Sequence, residues 1–217
     1  MDNIFNLDNK FFQTLGKLVD MICLSVLWLL LCIPVVTAGA ATTAMYYTVN
    51  KVIRHNRGYM ARDFFGAFKS NFKQSTIVWL IALLLYVLMG VDCYIMYQFA
   101  QAGEKYGSFY IVFIVLIALV TMWVMYLFPY IARFANTTKN VLKNAFLIAL
   151  ANLIKTILMF VILIAAVVVV FVWPIAIVLA PSCFALIQNF ILEKIFRKYM
   201  TPEDIEAEDE RNREYMN

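Results

Sequence analysis

The chain has 217 residues, of which 64% are hydrophobic and only 15% are charged, with a formal net charge of +4. A soluble domain carries roughly 25% charged residues and has too small a core to hide so many apolar side chains. The composition therefore excludes a soluble globular protein and predicts an integral membrane protein.

The apolar runs are longer than β-strands, and only seven glycines and five prolines interrupt the chain. Because hydrocarbon offers no partner for backbone N–H and C=O groups, such runs predict helices rather than a barrel. We expect an all-α, polytopic membrane protein with about six transmembrane helices and additional amphipathic interfacial helices. The predicted domains are a single helical membrane domain over residues 1–200 and an acidic cytoplasmic tail over 201–217.

The N-terminal third predicts two packed spans and a basic surface helix. Residues 1–17 mix apolar and charged side chains, which is typical of an interfacial stretch. The first span covers about 18–33. Beyond Pro34, the small residues of 35–50 predict a second, tightly packed span, with a re-entrant segment as the alternative. Residues 51–73 carry six Lys or Arg and a row of phenylalanines, which predicts a helix lying along the cytoplasmic membrane surface.

The rest of the chain predicts four more spans. They cover residues 77–99, 109–131, 156–172 and a last stretch that ends near Leu192. A basic amphipathic segment after Arg133 leads into the third of these. Pro174 and Pro181 interrupt the last stretch, which predicts a kinked span.

The distribution of basic residues predicts the orientation. With six spans and a cytoplasmic N-terminus, the basic loops and both ends lie inside, and Lys105 alone falls on the outer side. This asymmetry agrees with the positive-inside rule. We therefore expect a multi-pass protein of the plasma membrane with both termini in the cytoplasm.

Three ionisable residues lie within or at the border of the predicted spans: Asp20, Asp92 and Lys155. A charge at a helix centre costs about 2.5–3.5 kcal/mol on insertion scales, so each side chain needs a partner or water. One interpretation is a polar pathway among the helices. The other places these residues near the interfaces, where they snorkel or cap, and both remain open.

The sequence predicts no enzyme and no cofactor. His55 is the only histidine, the four cysteines lack CxxC spacing, and no glycine-rich phosphate loop occurs. We expect no catalytic residue, no metal site and no nucleotide bound by this chain. The basic residues of 51–73 fit anionic lipid headgroups or a cytoplasmic partner better than nucleic acid.

Several stretches resemble the YesL-like family of bacterial membrane proteins, a family without a settled activity. The residues that carry the resemblance are FNLDNKFFQTLGKLVD at 5–20, VLWLLLCIPVVTAGAATTAMYYTVNKVIR at 26–54, GYMARDFFGAFKSNFKQSTIVWLI at 58–81, FPYIARF at 128–134 and PSCFALIQ at 181–188. The resemblance covers nearly the whole chain and is most specific in its N-terminal third.

The resemblance implies a partner rather than a reaction. Genes for this family commonly lie beside those for carbohydrate uptake in Gram-positive bacteria, which implies a non-catalytic accessory subunit of a carbohydrate ABC importer that packs against the permease subunits. The residues predicted to pack against the partner are Thr37, Gly39, Ala40, Ala41, Ala44, Phe64, Phe65, Phe68 and Phe72. The alternatives are a self-contained transporter or channel for a small solute, or a membrane regulator of sugar uptake.

Overall fold

The computed structural model describes residues 10–213, with side chains from residue 14 onward, and this part of the chain contains helices and no strand. The helices are α1 (Lys10–Cys32), α2 (Ala38–Thr48), α3 (Met60–Gln101), α4 (Tyr110–Arg133), α5 (Thr138–Ala151), α6 (Leu153–Val172), α7 (Ala180–Phe196) and α8 (Pro202–Arg213). The all-α prediction is confirmed. Most of the predicted interfacial stretch 1–17 lies outside the described residues.

Four helices are long and apolar enough to cross a membrane. They are Thr14–Cys32, Met60–Gln101, Gly107–Arg133 and Leu153–Val172. These correspond to the first, third, fourth and fifth of the predicted spans, so the chain has the helices of a multi-pass membrane protein. The segments predicted as the second and sixth spans form the shorter helices α2 and α7, which are not among these four.

The small residues of the second segment allow α2 to lie at the centre of the bundle. α2 continues as a π-helical turn over Val49–Arg54, and its neighbours are α1, α3, α4 and α7. A Cβ added at Gly39 would lie 2.6 Å from the Trp79 Cβ and 2.7 Å from the Ser75 carbonyl oxygen. Only glycine fits this contact, because it lets the backbones of α2 and α3 approach closely. The tight packing expected from composition is therefore packing within the chain.

The predicted surface helix and third span are one continuous helix, α3, of 42 residues. At 1.5 Å per residue, α3 is about 63 Å long, roughly twice the thickness of the hydrocarbon core. Asp63 stabilises the start of this helix. Its carboxylate accepts a hydrogen bond from the Tyr59 N–H at 2.9 Å and forms an ion pair with Lys51 at 2.7 Å. The prediction of a separate surface helix over 51–73 is therefore wrong, because no proline breaks the helix between its basic and its apolar part.

The hairpin of α3 and α4 extends well beyond the hairpin of α1 and α2. The turn between α1 and α2 lies beside Trp79, whose indole N–H donates to the Val35 carbonyl at 2.6 Å. Trp79 lies 22 residues before the end of α3. The outer half of α3, about 33 Å long, therefore runs beside α4 past the level of that turn.

The two prolines of the last apolar stretch end one helix and start another. α6 ends at Val172, Pro174 begins a 3-10 turn over Pro174–Val178, and Pro181 occupies the first turn of α7. Proline is tolerated there because the first N–H groups of a helix have no partner within it. The chain thus makes a turn and a new helix where a single kinked span was predicted.

The acidic residues after Thr201 form a helix that folds back onto the bundle. Glu208 and Asn212 of α8 are buried, at 4% and 5% exposure. The sequence predicts a solvated tail or frayed helix for 201–217; Pro202–Arg213 is helical, and it is not solvated on all sides because Arg133 at the end of α4 pairs with Glu208. The domain boundary at residue 200 stays a prediction.

Candidate functional site

The three ionisable residues predicted within the spans lie apart. Asp20 is on α1, Asp92 on the exposed outer half of α3, and Lys155 in the first turn of α6. None of them takes part in an ion pair within residues 14–213. The structure thus shows no direct pairing among them, and their role in a polar pathway stays a prediction.

The residues predicted to pack against a partner divide into buried and exposed groups. Four small residues of α2 are buried inside the chain, namely Gly39, Ala40, Ala41 and Ala44. Thr37 donates a hydrogen bond to the Pro34 carbonyl at 2.8 Å and so closes the turn before α2. The four α2 residues already contact the chain's own helices, so in this conformation they offer no surface to a second protein, whereas Thr37 is partly exposed.

The phenylalanines of α3 also face in two directions. Phe64 is fully buried between α1 and α2, and Phe68 packs against the same cluster. Phe65 and Phe72 are 49% and 39% exposed. Phe65 and Phe72 are thus the exposed members of the set, Phe68 is partly buried, and Phe64 offers no surface to lipid or to a partner.

The charged groups that do come together form a buried cluster at the end of α4. The Arg133 guanidinium pairs with the Glu193 carboxylate of α7 at 3.2 Å and with the Glu208 carboxylate of α8. The two glutamate side chains are 4% and 5% exposed. One cation thus holds two carboxylates that belong to different helices.

Polar residues of α2 and its π-turn complete this cluster. The Tyr46 hydroxyl and the Asn50 amide donate to one Glu193 oxygen at 3.3 and 3.2 Å. Arg54 donates to the Asn189 side-chain oxygen at 2.9 Å. A buried carboxylate needs several such donors, because isolated charges are costly away from water.

Arg133 determines the proton affinity of the Glu208 carboxylate on α8. Burial acts to raise the pKa of Glu208, but the hydrogen bond and the charge of Arg133 outweigh burial and lower that pKa below its ordinary value. Glu208 is therefore held in its ionised form at neutral pH.

An apolar cavity of about 430 Å³ adjoins the cluster. Trp28, Trp79 and Phe128 contribute aromatic walls, and Tyr46 and Gln188 lie on the side of the buried glutamate. Both indole N–H groups already donate within the chain, to Thr42 and to the Val35 carbonyl. The tryptophans therefore present only apolar ring surface to the cavity.

Sequence reasoning found the helices but missed the cluster. Arg133 and Glu193 lie at the ends of apolar runs, where charged residues are expected as topology signals. The available signal was the polar pair Gln188 and Asn189 inside the last apolar stretch. Polar amides in an apolar helix need hydrogen-bond partners, and here Gln188 donates to the Met125 carbonyl at 2.7 Å and Asn189 accepts from Arg54.

One comparison with known proteins gave a match. Searches of curated proteins and of solved structures found no similar chain. The model of one family, described as "Protein of unknown function, DUF624", matches residues 21–93. That segment covers about half of α1, all of α2 and the larger part of α3. The YesL-like proteins belong to this family, so α1 to α3 are similar to the DUF624 family in the region where the sequence resemblance is most specific.

Proposed function

We propose that this protein is a YesL-like, non-catalytic accessory subunit of an ABC importer in the plasma membrane. The importer takes up carbohydrate, in the form of oligosaccharides. The protein packs against the permease subunits and binds no nucleotide itself. The proposal rests on the family resemblance, and the arrangement of polar groups in the bundle supports it.

The observation that carries the proposal is that the charges buried at the end of α4 pair with one another within the chain. Arg133, Glu193 and Glu208 bind one another at one end of the bundle, and the adjoining cavity has mostly apolar walls. A sugar carries many hydroxyl groups, each of which needs a hydrogen-bond partner when it leaves water. The bundle therefore suits a structural subunit better than a conduit for sugar.

The outer half of the α3–α4 hairpin is the surface that suits a membrane partner. It carries exposed apolar side chains on both helices, including Leu84, Val87, Val91, Ile111, Val115 and Leu119. A Cβ at Gly90 would meet no atom of another helix within 4 Å. Helices of another membrane protein can approach closely at such a position.

The experiment is an affinity purification of the tagged protein from its native membrane in a mild detergent, with mass spectrometry of what co-purifies. Stoichiometric recovery of a permease pair is the expected result, and recovery of the protein alone contradicts the proposal. Gly90→Trp is expected to release the partner. Gly66→Trp is the matched control, since Gly66 lies on the same helix and also has open space around it.

For the topology, we propose six membrane segments with both termini in the cytoplasm. α7 has 17 residues, and α2 with its π-turn covers residues 38–54. Each is about 25 Å long, which is near the lower limit for a span. Reporter fusions that follow residues 54, 103 and 213 test this: the first and third are expected inside and the second outside.

A second candidate is a self-contained transporter or channel for a small solute, or a membrane regulator of sugar uptake. The cavity of about 430 Å³ beside the Tyr46–Glu193 hydrogen bond favours it, because a membrane cavity that adjoins a buried acid is where a solute binds. Solute flux into liposomes that contain the purified protein alone is the test that separates this candidate from the accessory subunit.

A further inference from the structure

A second pocket, with a basic wall, lies where α1, the π-turn, α7 and α8 meet. Its volume is about 630 Å³. Four permanently cationic side chains line it, and Asp209 is its one carboxylate. The cations are Lys17, Arg54, Arg197 and Arg213. This excess of positive charge favours an anionic ligand.

The cations are not all engaged within the chain. Arg197 pairs with Asp209, and Arg54 donates one N–H to Asn189 while its guanidinium stacks 5.0 Å from the centre of the Phe190 ring. Lys17 and Arg213 form no ion pair among residues 14–213. The pocket therefore keeps donors that can reach a bound anion.

The pocket also has an apolar wall beside the cations. Met21, Ile53, Leu186 and Phe190 contribute to it, and Phe190 is 48% exposed. Lys17 lies three residues after the start of the apolar stretch Thr14–Cys32, so the pocket sits at the border of the hydrocarbon. A ligand that carries both an anionic group and an acyl chain matches both walls.

A buried amide adds a requirement for a hydrogen-bond donor. Asn212 lines the same pocket and is 5% exposed, and its side-chain oxygen has no hydrogen-bond partner in the described part of the chain. A buried acceptor of this kind costs stability unless a ligand or water donates to it. The hydroxyl groups of a glycerol headgroup are donors of the right kind.

We propose that this pocket binds the headgroup of an anionic phospholipid, with phosphatidylglycerol as the best match. The phosphate lies among the Lys17, Arg54 and Arg213 side chains, the headgroup hydroxyl donates to Asn212, and the acyl chains follow the apolar wall. Basic pockets at the cytoplasmic border of membrane helices bind phosphate headgroups in this way. The site is independent of any importer, because every group that forms it belongs to this chain.

The test is native mass spectrometry of the purified protein released from nanodiscs that contain phosphatidylglycerol or phosphatidylcholine. We expect one phosphatidylglycerol per chain to be retained and phosphatidylcholine to be lost. Each cation near an anionic headgroup contributes about fivefold in affinity, so the Lys17→Gln, Arg213→Gln double variant is expected to bind about 25-fold more weakly.

The matched control is the Lys139→Gln, Lys143→Gln double variant, which removes the same charge from exposed residues of α5 outside the pocket. It is expected to bind like the unchanged protein, and equal losses in both double variants overturn the proposal. If millimolar inorganic phosphate displaces the lipid, the site recognises free phosphate and the lipid assignment is wrong. Circular dichroism verifies folding, and the single Lys17→Gln variant, with about a fivefold loss expected, repeats the test if the double variant unfolds.

Discussion

Replacing Arg133 by methionine is expected to destabilise the protein far more than the same change at Arg197. Both arginines pair with an acidic residue of α8, but their surroundings differ. The Arg133 side chain is 16% exposed and its two partners 4% and 5%, whereas Arg197 and Asp209 are 38% and 37% exposed. Removing one partner of a buried pair costs about 3–5 kcal/mol, since it leaves an uncompensated charge. An exposed pair contributes about 0–1 kcal/mol.

The measurement is thermal unfolding in detergent micelles, followed by circular dichroism. For a chain of this size the expected decrease in Tm for Arg133→Met is about 6–20 °C, against about 4 °C or less for Arg197→Met. Equal decreases for the two variants would refute the reasoning, because they would mean that burial of the pair does not determine its contribution.

A rescue experiment separates lost charge from lost packing. In the Arg133→Met background, the change of Glu193 and Glu208 to glutamine removes the two carboxylates that the first substitution leaves unpaired. We expect this triple variant to recover at least half of the lost stability, since replacing all members of a buried ionic cluster is often close to neutral. No recovery would indicate that the arginine side chain acts through its packing alone.

Three further predictions concern other contacts. Gly39→Ala is expected to cost about 1–3 kcal/mol through overpacking against α3, whereas Gly66→Ala, with open space around it, is expected to gain up to about 1 kcal/mol of helix propensity; thermal unfolding compares the two. Because the folded pKa of Glu208 is lowered, its contribution to docking of α8 is complete above the ordinary glutamate pKa of about 4.3 and is lost as the pH falls through the lower folded value. Limited proteolysis of α8 at decreasing pH should show this release, and Glu208→Gln should abolish the pH dependence. The buried hydroxyl groups of Thr43 and Ser75 lie 2.8 Å apart, so a double-mutant cycle with valine and alanine should give a coupling of about 0.6 kcal/mol, the mean for hydrogen bonds in a membrane protein.

The apolar runs predicted four of the helices well, because lipid imposes one simple requirement on length and composition. They did not predict that α3 is continuous. The change at Lys73 from basic to apolar residues marks a change in the environment of the helix, and the backbone hydrogen bonds continue through it. The prolines were also ambiguous: Pro129 is accommodated inside α4, whereas Pro174 follows the end of α6 and begins a turn.

The charged cluster was not predictable from local sequence. Arg133 and Glu208 are 75 residues apart, and each looks like an ordinary charge near the end of a helix. Only the packing of α4, α7 and α8 brings them together with Glu193. The small residues around Gly39 were recognised as a packing face, but the sequence does not say whether the neighbour is the same chain or another one.

The number of residues between Arg133 and Glu208 also determines when these two residues can pair during synthesis of the chain. Glu208 is made 75 residues after Arg133, an interval of about 4–15 s at ordinary rates of synthesis. During that interval Arg133 lacks the helix that covers it, and Glu193, made 15 residues before Glu208, lacks it for the last part of the interval. Docking of α8 therefore comes late in synthesis, after the charged residues that it covers.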